Sequence, residues 1–402
     1  MKRIVFGFIA TLFTSMLFNI GLFALPAVAS DGPYDWPFIG CDLAFTRFSP
    51  SSAPNTNATA WIANMPAAGI GWWPYPIVSE GKVFIGLGGN LTAWDENDGH
   101  IIWNYGAPAG LGSPCNIAVA DGRVFSVAHE GNGVYASNAT TGQHLWALYG
   151  TTYGGGPPIV TGDRIYLGGA LDSTGVVYCL NATTGASIWS YPTQDRVNSI
   201  AVAYGKVYVG CGHWETSTMG AVYCLDMYDG SYVWSFDTNR DYTSSLTVAN
   251  GKVYFSASYE GWLCIVYALN ATDGAIVWST ARYPDGSAGP TAVAYGKVFV
   301  CLGYSDRGVY ALDETNGDEI WAFPIIPEQP VELHQSCPLW ASVADNKVFF
   351  GPSYPDHMFY AVSESTGTIV WSYRLAGAVE GASGAVANGR VFVADHWSQK
   401  LY

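Results

Sequence analysis

The residues able to do chemistry are few and scattered. Seven histidines, His100, His129, His144, His213, His334, His357 and His396, show none of the spacings that bring imidazoles onto one metal ion. Asp95, Glu96, Asn97 and Asp98 ahead of Gly99 have the composition of a calcium loop, but their spacing does not wrap an ion. Eight cysteines, Cys41, Cys115, Cys179, Cys211, Cys224, Cys264, Cys301 and Cys337, can be oxidised in an exported protein, and the sequence leaves their pairing open. No Gly-x-Ser-x-Gly elbow and no phosphate-binding Gly-rich loop occurs. The sequence therefore offers no catalytic residue and no metal site, and any site must be assembled by the fold from residues far apart in the chain.

The elements that would do this are repeats. The phrase "ALNATDGAIVW" at 268 returns as "AWDENDGHIIW", "ASNATTGQHLW", "CLNATTGASIW", "CLDMYDGSYVW", "ALDETNGDEIW" and "AVSESTGTIVW". Each is led by Gly-Lys-Val-Tyr or a variant of it, beginning at Gly81, Gly122, Gly162, Gly205, Gly251, Gly296, Asn346 and Gly389. The spacing of these starts, 40 to 50 residues, is that of a propeller blade. A Gly held by Asn or Asp, then β-branched residues and Trp, reads as a turn feeding a strand. The leading phrase outnumbers the Trp phrase by one, and an unmatched "NATAWIA" carrying Trp61 lies upstream. The balance is restored if residues 58–64 supply the outermost strand of the last blade, leaving no open edge. The expectation is an all-β, eight-bladed β-propeller of four-stranded antiparallel blades, closed by strands from both termini and occupying 58–402. Cys179 and Cys224 hold one repeat position in adjacent blades, which sets them too far apart for a disulfide.

In such a ring the innermost strands open at one mouth of the axis. Nine residues before each hairpin start stand Trp72, Ser113, Tyr153, Arg196, Tyr242, Ser287, Cys337 and Glu380, with Asn198, His334 and Gln335 close by. Here the repeats stop agreeing. Trp72, Tyr153 and Tyr242 fall on alternate units, and Arg196 and Glu380 lie four blades apart, which suits a neutral or zwitterionic ligand or an inserted loop. The mouth residues Trp72, Tyr153, Arg196, Asn198, Tyr242, His334 and Glu380 are the expected binding site.

Residues 1–29 read as a signal peptide: Lys2 and Arg3, an apolar run, and Ala27-Val28-Ala29 after Pro26. The run is also long enough for an uncleaved anchor, the one route by which a membrane becomes a partner. The sequons at Asn57, Asn90, Asn138, Asn181 and Asn270 are candidates for glycosylation, although Asn138, Asn181 and Asn270 stand where Asp226 and Asp313 cap a turn. A formal charge of −15 without a basic stripe excludes nucleic acid and anionic lipid as partners.

The unit "GKVY...VYALDxxTGxxxW" resembles the repeat of the pyrroloquinoline-quinone (PQQ) type β-propellers over nearly all of the chain after residue 60. The leading segment, 30–57, resembles that family's N-terminal stretch through "DLAFTRFSPSSAPNTN". The resemblance implies that Trp61, Trp103, Trp146, Trp189, Trp234, Trp278, Trp321 and Trp371 dock neighbouring blades. The family includes PQQ- and calcium-dependent dehydrogenases, many with a disulfide between consecutive cysteines, and non-catalytic members such as the lipoprotein that assists outer-membrane assembly. This chain has no consecutive Cys pair, and no Glu, Asn and Asp ligand set falls on family positions. The expectation is a secreted, extracellular or cell-surface binding scaffold (periplasmic in a Gram-negative cell) for a protein or small molecule, without a cofactor. A quinoprotein dehydrogenase holding PQQ and calcium is the alternative.

Overall fold

The computed structural model describes residues 35–66, 75–128, 133–149, 156–171, 174–212, 220–239, 242–259, 263–282, 288–302, 308–325, 340–351, 357–377, 384–395 and 397–402. The expected signal peptide lies outside them. The chain forms an eight-bladed propeller of antiparallel sheets, without helices among the described residues. In blade one the order from axis to rim is Ile77–Ser79, Lys82–Leu87, Asn90–Asp95 and Ile101–Gly106.

Burial follows this order. Lys82–Leu87 is buried from its second residue onward, whereas Ile101–Gly106 buries only Trp103. The inner strands lie between neighbouring sheets and therefore read as apolar runs, while the rim strand touches the next blade through one plate-like side chain. The turn after each inner strand is a two-residue hairpin with both residues at positive φ, such as Glu80 and Gly81 (54° and 72°) or Asn250 and Gly251 (49° and 72°). Blade three is the exception. Thr161 pairs with Arg164, and Gly162 alone is positive, so Asp163 rather than Gly162 matches Gly81.

The ring closes as the repeat count requires. Ala63–Asn64 pairs antiparallel with Lys400–Leu401 as the outermost strand of the eighth blade. In every blade the aromatic ring of the hairpin phrase tilts against the Trp of the rim strand. Phe84 meets Trp103 at 5.9 Å between centroids, Tyr208 meets Trp234 at 6.0 Å, and across the seam Phe392 meets Trp61 at 6.0 Å. Trp61 therefore completes the eighth unit from the opposite end of the chain.

The leading segment winds round the axis and visits the blades in order. Trp36 exchanges backbone hydrogen bonds with Val78 of blade one, and the carbonyls of Pro37, Leu43, Ala44, Thr46 and Arg47 accept from the N–H groups of Val119, Val202, Val248, Val293 and Val343. Phe48–Ser49 then runs parallel to Ser342–Ala344, and Ser51 Oγ accepts from Gly389 N of blade eight. These valines share one register position, three residues before the second residue of the hairpin turn, and Val160 and Val386 hold it in the other two blades. One end of the axis is thus sealed by the chain's own backbone.

Candidate binding site on the propeller axis

Each strand reversal has a fixed end. The hairpin after the inner strand and the turn carrying the Asp-x-x-x-Gly phrase both lie at the sealed end, and the remaining connections lie at the other. At the sealed end the geometry repeats. Trp103, Trp146, Trp189, Trp234, Trp278 and Trp321 each donate their indole N–H to a backbone carbonyl of the next blade's turn, at Ala139, Ala182, Met227, Ala271, Glu314 and Glu364, over 2.8 to 3.3 Å. Trp61 does the same to Glu96 O at 3.0 Å. Trp371 of blade seven donates instead to Pro54 O of the leading segment at 2.9 Å.

The glycine of the docking phrase meets two demands at once. Gly230 has φ of +74°, and a Cβ there would stand 2.7 Å from the Trp189 ring. Glycine alone meets both the left-handed backbone and the close approach. Opposite each Trp on the adjacent strand stands a small residue: Ala93 faces Trp103, while Cys179 faces Trp189 and Cys224 faces Trp234. These two cysteines are buried, as are Cys41, Cys211, Cys264 and Cys301.

Hairpin and turn are also joined by charge. Lys297 Nζ lies 2.8 Å from Glu364 of the next blade, and Glu314 accepts from Asn250, Lys252 and Tyr254 at 2.9 to 3.3 Å. At the closing seam Asn388 donates to the Glu96 carboxylate at 3.0 Å, and Arg390 donates to the Glu96 backbone carbonyl at 2.7 Å. The side-chain oxygens of Asn138, Asn181 and Asn270 accept from backbone N–H groups two residues on, at 2.8 to 3.0 Å, as turn caps. Asn57 donates to Ser372 O, and Asn90 opens the strand Asn90–Asp95.

At the mouth the structure gives a partial answer. Trp72, Tyr153, Ser287, His334, Gln335, Cys337 and Glu380 lie outside the described residues. In blade three the hairpin turn is Gly162-Asp163, so counting back from its second residue gives Gly154 in place of Tyr153, and both lie outside the described residues. The cause is the glycine, which stands first in that hairpin instead of second. Ser113 is half-buried and immediately precedes the inner strand Pro114–Ala120. Tyr242 pairs through its backbone with Ser258. Arg196 is exposed, its N–H donating to Asp195 at 2.6 Å and its carbonyl accepting from Gly212 N. The amide of Asn198 donates to Gly212 O and, at 3.5 Å, to Thr243 O, which commits it to joining blades four and five.

Below the mouth is a residue that sequence reasoning passed over. Arg47 has no exposure, and among the described residues none of its three guanidinium nitrogens has a hydrogen-bond partner. Its guanidinium carbon lies 4.1 Å from the centroid of the Trp340 ring and 5.2 Å from that of Phe45. Trp340 in turn stacks on Tyr75 at 4.7 Å. Burial draws the guanidinium down to about 9. Arg47 O is bonded to Val343, three residues after Trp340 on the innermost path of blade seven, so the side chain rises from the plug toward the mouth. Asp42, the acid nearest in sequence, accepts from Thr46 N at 2.9 Å and from Thr46 Oγ. The desolvated interior pushes the Asp42 carboxyl up, against those bonds.

The one group of three acids or histidines close enough to share an ion among the described residues is Asp95, Asp98 and His100. It stands on the docking turn of blade one at the sealed end, where Asp98 and His100 already pair at 2.6 Å.

A ring of eight four-stranded blades, latched by Trp and plugged at one end, defines the class of PQQ-type β-propellers. The chain matches the family described as outer membrane protein assembly factor BamB over residues 51–193, 148–216, 173–351 and 307–400, and it belongs to that PQQ-like propeller family. It is 34% identical over 239 residues to the serine/threonine-protein kinase AfsK of Streptomyces coelicolor, covering 56% of this chain and 28% of that protein. It thus spans less than a third of that relative. Among solved structures it is similar to the quinohemoprotein alcohol dehydrogenase ADHIIG from Pseudomonas putida HK5 (TM-score 0.71, 16% identity, 90% of this chain and 76% of that one). It is also similar to BamB from Moraxella catarrhalis (TM-score 0.61, 17% identity, 85% and 96%). At these identities the likeness is one of fold.

Proposed function

We propose that the protein is an exported propeller working as a binding scaffold, which holds a protein or small-molecule partner at the loop end of its axis. The observation that carries this reading is the asymmetry of the two ends. At the sealed end the docking turns of blades one to seven accept from the Trp of the neighbouring blade, Trp371 bonds the leading segment, and that segment occupies the axis. The connections at the other end differ from blade to blade in sequence and length, as recognition loops on a rigid frame do. The signal-like residues 1–29 support export, and the family's description as an assembly factor supports a role without turnover.

The test is binding and chemistry on one preparation. Crosslinking on intact cells followed by mass spectrometry identifies the partner, and Arg196→Ala and Trp72→Ala are each expected to weaken it by about 1 kcal/mol or more with the fold intact. The purified protein is expected to stay colourless and to reduce no dye with alcohols or sugars after incubation with PQQ and calcium. A stoichiometric quinone spectrum with dye reduction replaces the scaffold reading with that of a dehydrogenase.

A further inference from the structure

A strand edge without a partner leaves backbone donors and acceptors open to a further strand. In blades one to seven the second residue of the strand after the hairpin pairs with the third strand, as Val83 does with Trp94, Val207 with Leu225 and Val348 with Val362. The residues at this position, from Val83 in blade one to Val348 in blade seven, have no exposure. Val391 holds the position in blade eight and is only half-buried. Lys400–Leu401 and Tyr402 cover Asp395, Ala394 and Val393, but among the described residues no strand pairs with the outward edge of Arg390–Phe392. The outermost strand nevertheless keeps its place. Trp61 stands 6.0 Å from Phe392, as the corresponding rings of blades one and four stand 5.9 and 6.0 Å apart. A cavity of about 140 Å³ fills the interval, with Thr59, Ala60 and Trp61 on one side and Arg390, Val391 and Phe392 on the other. Trp371 and Tyr373 of blade seven also line it, so its walls are largely aromatic and aliphatic.

From this geometry we infer that the cavity is a lane one strand wide, which takes an extended segment of a partner protein as the third strand over Arg390–Phe392. Backbone bonds to an open edge give affinity, and alternate side chains set the sequence that is accepted. That sequence is read from the segments in the same lane of other blades, such as Ala93-Trp94-Asp95, Cys224-Leu225-Asp226 and Ala311-Leu312-Asp313. A small residue must face Trp61, as Ala311 faces Trp321. An apolar residue follows beside Val391, as Leu312 stands beside Val298. An acid completes the pattern, because Arg390 holds the position from which Lys206 meets Asp226 at 2.9 Å. The described segments of this pattern are each paired within their own blades, so the strand comes from a second protein. The lane lies between blades seven and eight, away from the loop end, and does not rest on the scaffold reading.

The experiment is fluorescence anisotropy of a labelled peptide, Ala-Leu-Asp-Glu-Thr-Asn-Gly, titrated with the full chain, with amide hydrogen exchange followed at Val391. The peptide repeats residues 311–317. Saturable binding and slowed exchange at Val391 are expected. Replacing the peptide's leucine with proline removes the N–H that would bond Val391 and is expected to abolish both. Replacing its aspartate with lysine is expected to weaken binding about tenfold, and Arg390→Glu to restore the lysine peptide. The peptide comparisons on the wild type carry the test if that variant does not fold. No saturable binding up to about 1 mM overturns the inference. Binding that leaves Val391 unprotected, or equal binding of the proline peptide, overturns strand addition and assigns the cavity to another class of ligand.

Discussion

At the scale of single residues, the ring is held by a contact made once per blade. The indole N–H bond is worth about 1 kcal/mol, and the buried plate that carries it several times more. Trp234→Phe, which keeps the plate and loses the bond to Ala271 O, is expected to cost about 1 kcal/mol in denaturant unfolding, and Trp234→Ala about 3 kcal/mol or more. Gly230→Ala meets both the backbone and the Trp189 ring, and a loss of about 2 kcal/mol or more is expected. Burial pushes the thiols of Cys211 and Cys224 up to about 12. With folded values raised, their contribution to stability is complete below about pH 8.5, where unfolded thiols are also protonated, and is lost as pH rises toward the folded values. Native protein at about pH 8 should resist alkylation at both positions and react once unfolded. Rapid reaction of the folded protein would contradict their placement. Trp, Gly and the small residue facing Trp were legible in the sequence because each recurs at one position. Arg47 was not, because it occurs once and its burial depends on how the leading segment winds.

Elements explain how the edges are managed. Each rim ladder shifts register just before its Trp, as between Cys224 and Leu225, where Val233 has no paired opposite. Such a bulge interrupts the edge at the position most open to strand addition. The closing strand was legible as a count, eight hairpins against seven Trp phrases, and the pairing of Ala63–Asn64 with Lys400–Leu401 answers it. The plug was less legible. The valine three residues before each hairpin recurs through all eight units, but a buried strand explains a valine without any partner at its backbone. The blade-three hairpin was hard to place for a related reason: a glycine marks a hairpin without saying which of its two positions it fills. Residues 1–34 lie outside the described residues, whereas removing 1–65 takes away both the plug and the closing strand. Removing only 1–34 is expected to keep a single sharp melt, and the longer truncation to aggregate or unfold broadly. Identical melts would sink the closure described above.

For the whole molecule, the consequence is a division of labour between the two ends of one axis. The sealed end repeats itself because its turns must satisfy their neighbours. The loop end is free to differ, and sequence alone could locate that difference without saying what it binds, since recognition residues obey no repeat. The most direct measurement places a photo-crosslinking amino acid at Arg196, exposed at the loop end, or at Asp273, on a docking turn at the sealed end. Both proteins are exposed to intact cells and irradiated. The account predicts specific adducts from position 196 and none from position 273. Adducts from 273 without any from 196 would contradict it.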